Sequence, residues 1–231
     1  MKIIGILGGL GPESTIAYYK KLIGYYKAEI DKNSFPHIII NSIDLSLVTN
    51  LLNKSDLDGL VRYLAEEINR LKKAGANIIA MASNTPHIVF DKLQQMVDAD
   101  LLSIVEVAAS EAKKLNLKKL GLLGTKFTMQ STFFREVFNK NGIEVISPDM
   151  TAQAYIIEKY TNELIKGIAL EETRLKFYAI IQQMIQNHNV DGIIIGCTEF
   201  PLVMQQSDYP NITLIDTQEL HIKAIGHLLA Q

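Results

Sequence analysis

The sequence predicts a doubly wound α/β fold made of two similar parallel-sheet half-domains. Two observations predict it. First, short apolar runs rich in Ile, Val and Leu alternate with stretches of helical periodicity. Second, the chain repeats itself. "KIIGILGGLG" (Lys2–Gly11) matches "KKLGLLGTKF" (Lys118–Phe127), and "GANIIAMASNTPH" (Gly75–His87) matches "NVDGIIIGCTEFP" (Asn189–Pro201). Gly5 and Gly121 lie 116 residues apart, and Ser83 and Cys197 lie 114 apart. Two independent matches at nearly one offset indicate a duplicated half-domain.

The strands come in the order Ile3–Leu7, Ile38–Ile40, Ile78–Met81, Leu120–Leu123, Ile143–Ile146 and Ile193–Ile195. Each run is continuous rather than alternating, which suits strands covered on both faces. Helices are expected between them. Ser14–Lys27 follows Pro12 and Glu13, an N-terminal signal, and Leu57–Lys73 ends where Gly75 can terminate it. Ile104–Leu115, Ser131–Asn139, Ala154–Ile165 and Glu171–Asn187 carry the same spacing. The expected division is residues 1–103 with 214–231 as one half-domain and 104–213 as the other. If the halves are related by a pseudo-two-fold axis, the matched strand ends face one cleft, with Ser83 and Cys197 on opposite sides of it.

Composition narrows the function. The 231 residues carry a net charge of −2, which argues against nucleic acid as a partner, because a phosphate backbone needs an excess of Lys and Arg. No apolar stretch approaches the ~20 residues that span a membrane, so no membrane association is expected. The apolar start "MKIIGILGGLG" is short and interrupted by glycine, and reads as a first strand rather than a signal peptide. A cytoplasmic location is the expectation. The single cysteine excludes an internal disulfide and supplies no metal framework.

Three segments carry chemistry, all at the carboxyl ends of strands, where open parallel sheets bind ligands. "GGLGPES" (Gly8–Ser14) is a glycine-rich turn before a helix, an anion cradle in its functional form. Its glycines lack the G-x-G-x-x-G spacing and it has no P-loop lysine, so no nucleotide cofactor is expected. "SNTPH" (Ser83–His87) places hydroxyl and amide groups at a helix start, where they can cap the helix or hold a carboxylate. His87 alone reads as a structural histidine. "GCTEFP" (Gly196–Pro201) places the thiol of Cys197 at a strand end before a helix start, which predicts a lowered pKa and partial thiolate character. Thr198 and Glu199 follow it and can orient a ligand or tune the thiol. His87 or His221 could approach it in space. Two groups across a pseudo-symmetric cleft can remove an α-proton from one face and return it to the other.

On these segments nearly the whole chain resembles the aspartate/glutamate racemase family of cofactor-independent amino-acid racemases. "GILGGLGPEST" resembles the family's opening turn, "SNTPH" its first catalytic segment (usually C-N-T-x-H), "LLGTKFTM" (Leu122–Met129) its G-T-x-x-T segment and "GCTE" its second catalytic segment. The resemblance implies an acidic amino acid as substrate, no cofactor, no metal, and a homodimer. It implies Cys197 as one proton carrier. Ser83 stands where most members have the other cysteine, as in a branch with a hydroxyl residue there. Gly9, Leu10, Asn84, Thr85, Thr125, Thr198 and Glu199 are the implied substrate-binding residues. A direction-biased or slow racemase is expected, since a serine hydroxyl is far less acidic than a thiol. Asn50, Asn53, Lys54 and Lys166 are candidates for the side-chain carboxylate. Glutamate racemase of cell-wall synthesis is disfavoured, because Gly8-Gly9 stands where its opening segment usually has Asp-Ser. The alternatives are a one-cysteine decarboxylase or isomerase of a dicarboxylate, and a ligand-binding relative disabled at position 83.

Overall fold

A computed structural model describes residues 2–230. Two compact units partition the chain. One runs to Ile104 and resumes at His221, and the other is Val105–Leu220. Met1 and Gln231, the ends of the first expected half-domain, lie outside the described residues. The expected return to the first unit at residue 214 comes too early. The strand Thr213–Asp216 pairs with Gly192–Gly196, so the chain stays in the second unit until Leu220.

The first unit holds a parallel sheet of β1 (Ile3–Gly8), β2 (His37–Ser42), β3 (Ile78–Met81) and β4 (Asp100–Leu102), in the order β2-β1-β3-β4. Its helices are α1 (Pro12–Glu29), α2 (Leu45–Asn53), α3 (Leu57–Lys73) and α4 (Phe90–Met96). α3 forms where its periodicity places it. Asp56 accepts from the Gly59 N–H at 2.8 Å to cap its start, and Leu60, Leu64, Ile68 and Leu71 line one buried face. Ile4, Ile6, Ile78 and Ala80 of the sheet pack with Tyr18 and Leu22 of α1 and with Ile222 and Ile225.

The second unit repeats this order. After α5 (Ile104–Lys114) come β5 (Lys119–Gly124), α6 (Lys126–Gln130), α7 (Phe133–Lys140), β6 (Glu144–Ile146), α8 (Met150–Asn162), α9 (Glu171–His188), β7 (Gly192–Gly196) and β8 (Thr213–Asp216). The sheet order is β6-β5-β7-β8, again all parallel. The matched segments read from the sequence, β1 with β5 and β3 with β7, are thus the two central strands of each sheet. α9 buries Phe177, Ile180, Ile181 and Met184, spaced as one helical face, against Ile193 and Ile195 of β7. α10 (Thr217–Leu229) begins in this unit and ends in the first.

Some elements depart from the sequence reading. β4 and β8 are three and four residues long. Polar Asp100, Thr213 and Asp216 leave them no distinct apolar run. α8 starts earlier than expected because Asp149 accepts from the Ala152 N–H at 2.9 Å, and a 3-10 turn, Leu164–Lys166, comes after its end. α2, α4, α6 and α10 carry no long periodic pattern and were not expected.

Candidate active site

In each sheet the central strands lie at the switch point, where the connections leave in opposite directions. The residues singled out from the sequence sit at those strand ends. Gly9, Leu10, Ser83, Asn84 and Thr85 come after β1 and β3 in the first unit. Thr125, Cys197, Thr198 and Glu199 come after β5 and β7 in the second.

The glycine turn after β1 is held by its own residues. Gly9 has φ 76°, and a Cβ there would meet the Ile43 carbonyl oxygen at 2.1 Å. Only glycine fits that approach. Its N–H donates to Thr15 Oγ1 at 2.9 Å, and the Thr15 hydroxyl donates to the Gly11 carbonyl at 3.1 Å. The Gly9 N–H is therefore engaged inside the turn. Leu10 is buried. Ser14 Oγ, also buried, donates to the Ala82 carbonyl at 2.7 Å and joins α1 to the end of β3.

After β3 the chain does not enter an α-helix at once. A 3-10 turn, Thr85–Val89, comes first. Asn84 is buried, makes no side-chain cap bond to this turn, and leaves Ser83 and Thr85 partly buried beside it. His87 is 3% exposed. Its Nε2 accepts from the Ile104 N–H at 3.2 Å, so its Nδ1 carries the proton and donates to the Ser83 carbonyl at 3.0 Å. Burial, helped by the charge of nearby His221, lowers its pKa to about 3. His221 is fully buried. Its Nε2–H donates to the Leu102 carbonyl at 3.0 Å and its Nδ1 accepts from the Tyr18 hydroxyl at 2.8 Å, and burial lowers its pKa to about 4. Both histidines are thus neutral and occupied within the first unit, with no bond to the thiol.

Cys197 differs from expectation. It is 4% exposed, and its thiol donates to Glu199 Oε2 at 3.1 Å. Its pKa is raised well above the ordinary value, first by burial and then by the Glu199 charge. The backbone N–H groups of Glu199 and Phe200 pull the other way but do not prevail. The lowered pKa read from the sequence assumed a helix start, but the chain makes only a three-residue 3-10 turn there, Phe200–Leu202. So short a turn carries little dipole. The Thr198 hydroxyl donates to the same Glu199 oxygen at 3.0 Å, and Glu199 is itself buried. Across the sheet, Thr125 caps α6, accepting from the Thr128 N–H at 3.3 Å.

Tyr160 of α8 was missed. The charges of Cys197 and Glu199, after burial, raise its phenol pKa, which places it in their surroundings. Only its spacing within α8 preceded it, and nothing local in the sequence marks it. Asn50, Asn53, Lys54 and Lys166 are not buried and stand apart from these strand ends in the chain. Among the described residues no group of three or more His, Cys, Asp or Glu could hold a metal ion. No helix among them is long and apolar enough to cross a membrane.

A sequence model of the family described as Asp/Glu/Hydantoin racemase matches residues 7–225. The chain belongs to that family. It is an enzyme of a cofactor-independent amino-acid racemase family. The broad specificity amino-acid racemase RacX of Bacillus subtilis (strain 168) is 31% identical over 220 residues, covering 91% of this chain and 92% of RacX. A Yersinia pestis structure described as a candidate Asp/Glu racemase superposes with TM-score 0.91 at 34% identity, each chain covered in full. An aspartate racemase homologue from Pyrococcus horikoshii OT3 gives TM-score 0.87 at 33% identity, also over both whole chains.

Proposed function

We propose that this racemase acts on aspartate, glutamate or both, with Cys197 and Ser83 moving protons on opposite faces of the α-carbon. The observation that carries the reading is the hydrogen bond from the Cys197 thiol to Glu199 at the carboxyl end of β7. A thiol whose pKa is raised is a poor base by itself. A carboxylate oxygen 3.1 Å away is a ready acceptor for its proton. The positive α-ammonium group of a bound substrate favours the thiolate.

In the forward step the Cys197 proton passes to Glu199 Oε2, and the thiolate takes the α-proton of the L-amino acid. The electron pair of the broken bond spreads into the α-carboxylate. Asn84, Thr85, Thr125 and Thr198 are the groups assigned to hold that charge. The Ser83 hydroxyl then gives its proton to the opposite face and regains one from solvent, while Glu199 releases the proton it took from Cys197 to solvent. Proton removal from the D form asks Ser83 to act as base, so exchange of the D form is slower.

The choice of an acidic side chain is supported by the similarity to the aspartate racemase homologue. The reading includes a cytoplasmic location and a homodimer, and light scattering of the purified protein checks the dimer. The activity test is deuterium uptake at the α-carbon in D2O, followed by NMR, with L and D forms of acidic, neutral and basic amino acids. The expected result is exchange of aspartate or glutamate, favouring the L form, and its loss in Cys197→Ala. Equal exchange in wild type and Cys197→Ala would overturn the assignment of Cys197. Turnover confined to neutral or basic amino acids would overturn the substrate.

A further inference from the structure

We propose that His87 is a positioning residue for Ser83, fixing the serine through its carbonyl rather than touching the reacting atoms. The proposal rests on the reading of Ser83 as a proton carrier. No bond from the Ser83 hydroxyl to another described residue exists, so its aim is set by the backbone that carries it. That backbone lies beyond the last paired residue of β3. Ala82, just before it, is held twice: its N–H donates to the Leu7 carbonyl at 2.9 Å, and its carbonyl accepts from Ser14. The Ser83 carbonyl is held by His87 Nδ1–H at 3.0 Å.

The imidazole is in turn fixed on its other edge and on a face. The Ile104 N–H, shortly after β4, donates to Nε2, and the Phe90 ring stacks on it at 5.2 Å with the planes 8° apart. One neutral ring thus ties the serine to the neighbouring strand end. A flexible serine would lose the approach to the α-carbon that proton return requires. A misplacement of ~1 Å can cost on the order of 10²-fold in rate.

Two conservative variants separate the two edges of the ring. The amide nitrogen of Asn lies where Nδ1 does, so His87→Asn keeps a donor for the Ser83 carbonyl and loses the acceptor for Ile104. His87→Gln reaches to Nε2, so it keeps that acceptor and loses the donor. With L-aspartate or L-glutamate in D2O, the readout is the ratio of inversion to exchange with retention. Inversion needs Ser83, and retention needs Cys197 alone. His87→Gln is expected to lower the ratio by about tenfold or more, and His87→Asn to leave it near wild type. A ratio unchanged in His87→Gln, or lowered equally in both, would overturn the proposal while leaving Ser83 as proton carrier. Inversion that survives Ser83→Ala in an otherwise wild-type chain would sink the reading of Ser83 and this inference with it. Should both variants fail to fold, 15N NMR of the wild-type imidazole decides: a proton on Nε2 instead of Nδ1 would refute the geometry.

Discussion

Lowering the pH should unfold the first unit through its two buried histidines, and His221→Gln should blunt the effect. The folded pKa values are about 3 for His87 and about 4 for His221, against the ordinary 6.5. Both are depressed, so between pH 6.5 and 4 the unfolded chain binds more protons than the folded one. Stability is fully present above about pH 6.5 and falls as the pH drops towards the folded values. Each histidine contributes a slope of about 1.4 kcal/mol per pH unit in that window, so the pair costs about 5 kcal/mol between pH 7 and 4.5. That is comparable to the whole stability of many domains.

The cause is geometric. Both rings spend both nitrogens on neutral partners, and a proton added to Nε2 of His87 or Nδ1 of His221 would face an N–H or a hydroxyl donor. Each would also lie near the other charge. The assay is urea unfolding by circular dichroism at half-unit steps from pH 7 to 4.5. His221→Gln is expected to lose stability at pH 7, since a buried ring is replaced, yet to show about half the pH slope. Carboxylates protonate over the same range in both proteins, so they cancel in the comparison. The same slope in both proteins would refute the reasoning.

Three other outcomes are expected at the site. Glu199→Gln removes a charge that raises the thiol pKa, so the thiolate absorbance of this single-cysteine chain should titrate at lower pH. Racemisation should fall all the same, by about 10²-fold, because the proton acceptor is gone; a rise in rate would show that Glu199 only hinders the thiol. Ser83→Cys should raise α-proton exchange from the D form more than from the L form, since a thiol is the better base; an equal rise in both would deny the asymmetry. Gly9→Ala should cost ~1–3 kcal/mol or more in urea unfolding, because φ 76° and the Ile43 carbonyl both oppose a methyl group, and an unchanged midpoint would count against the turn as described.

Strand and helix alternation, the duplication, and the strand ends that carry Ser83 and Cys197 were all legible in the amino-acid order. They are local facts: a continuous apolar run, a glycine turn, a short motif repeated after 114 residues. The long helices α3 and α9 were legible because their periodicity runs over several turns. β4 and β8 were not, because Asp100, Thr213 and Asp216 leave them no continuous apolar run and only their pairing with β3 and β7 defines them.

The protonation of the site was likewise beyond the sequence. Reading Cys197 before a helix start predicted a lowered pKa. The chain makes a 3-10 turn there instead, buries the sulfur, and sets a carboxylate two residues away against it. Burial and the distance between two charges are sums over the whole fold, so no local pattern contains them. The same holds for His87 and His221, which the sequence leaves free to meet the thiol. By itself the sequence determined which groups stand at the strand ends. Only the tertiary structure decided which of them hold protons and which hold the backbone, because that depends on what each is packed against.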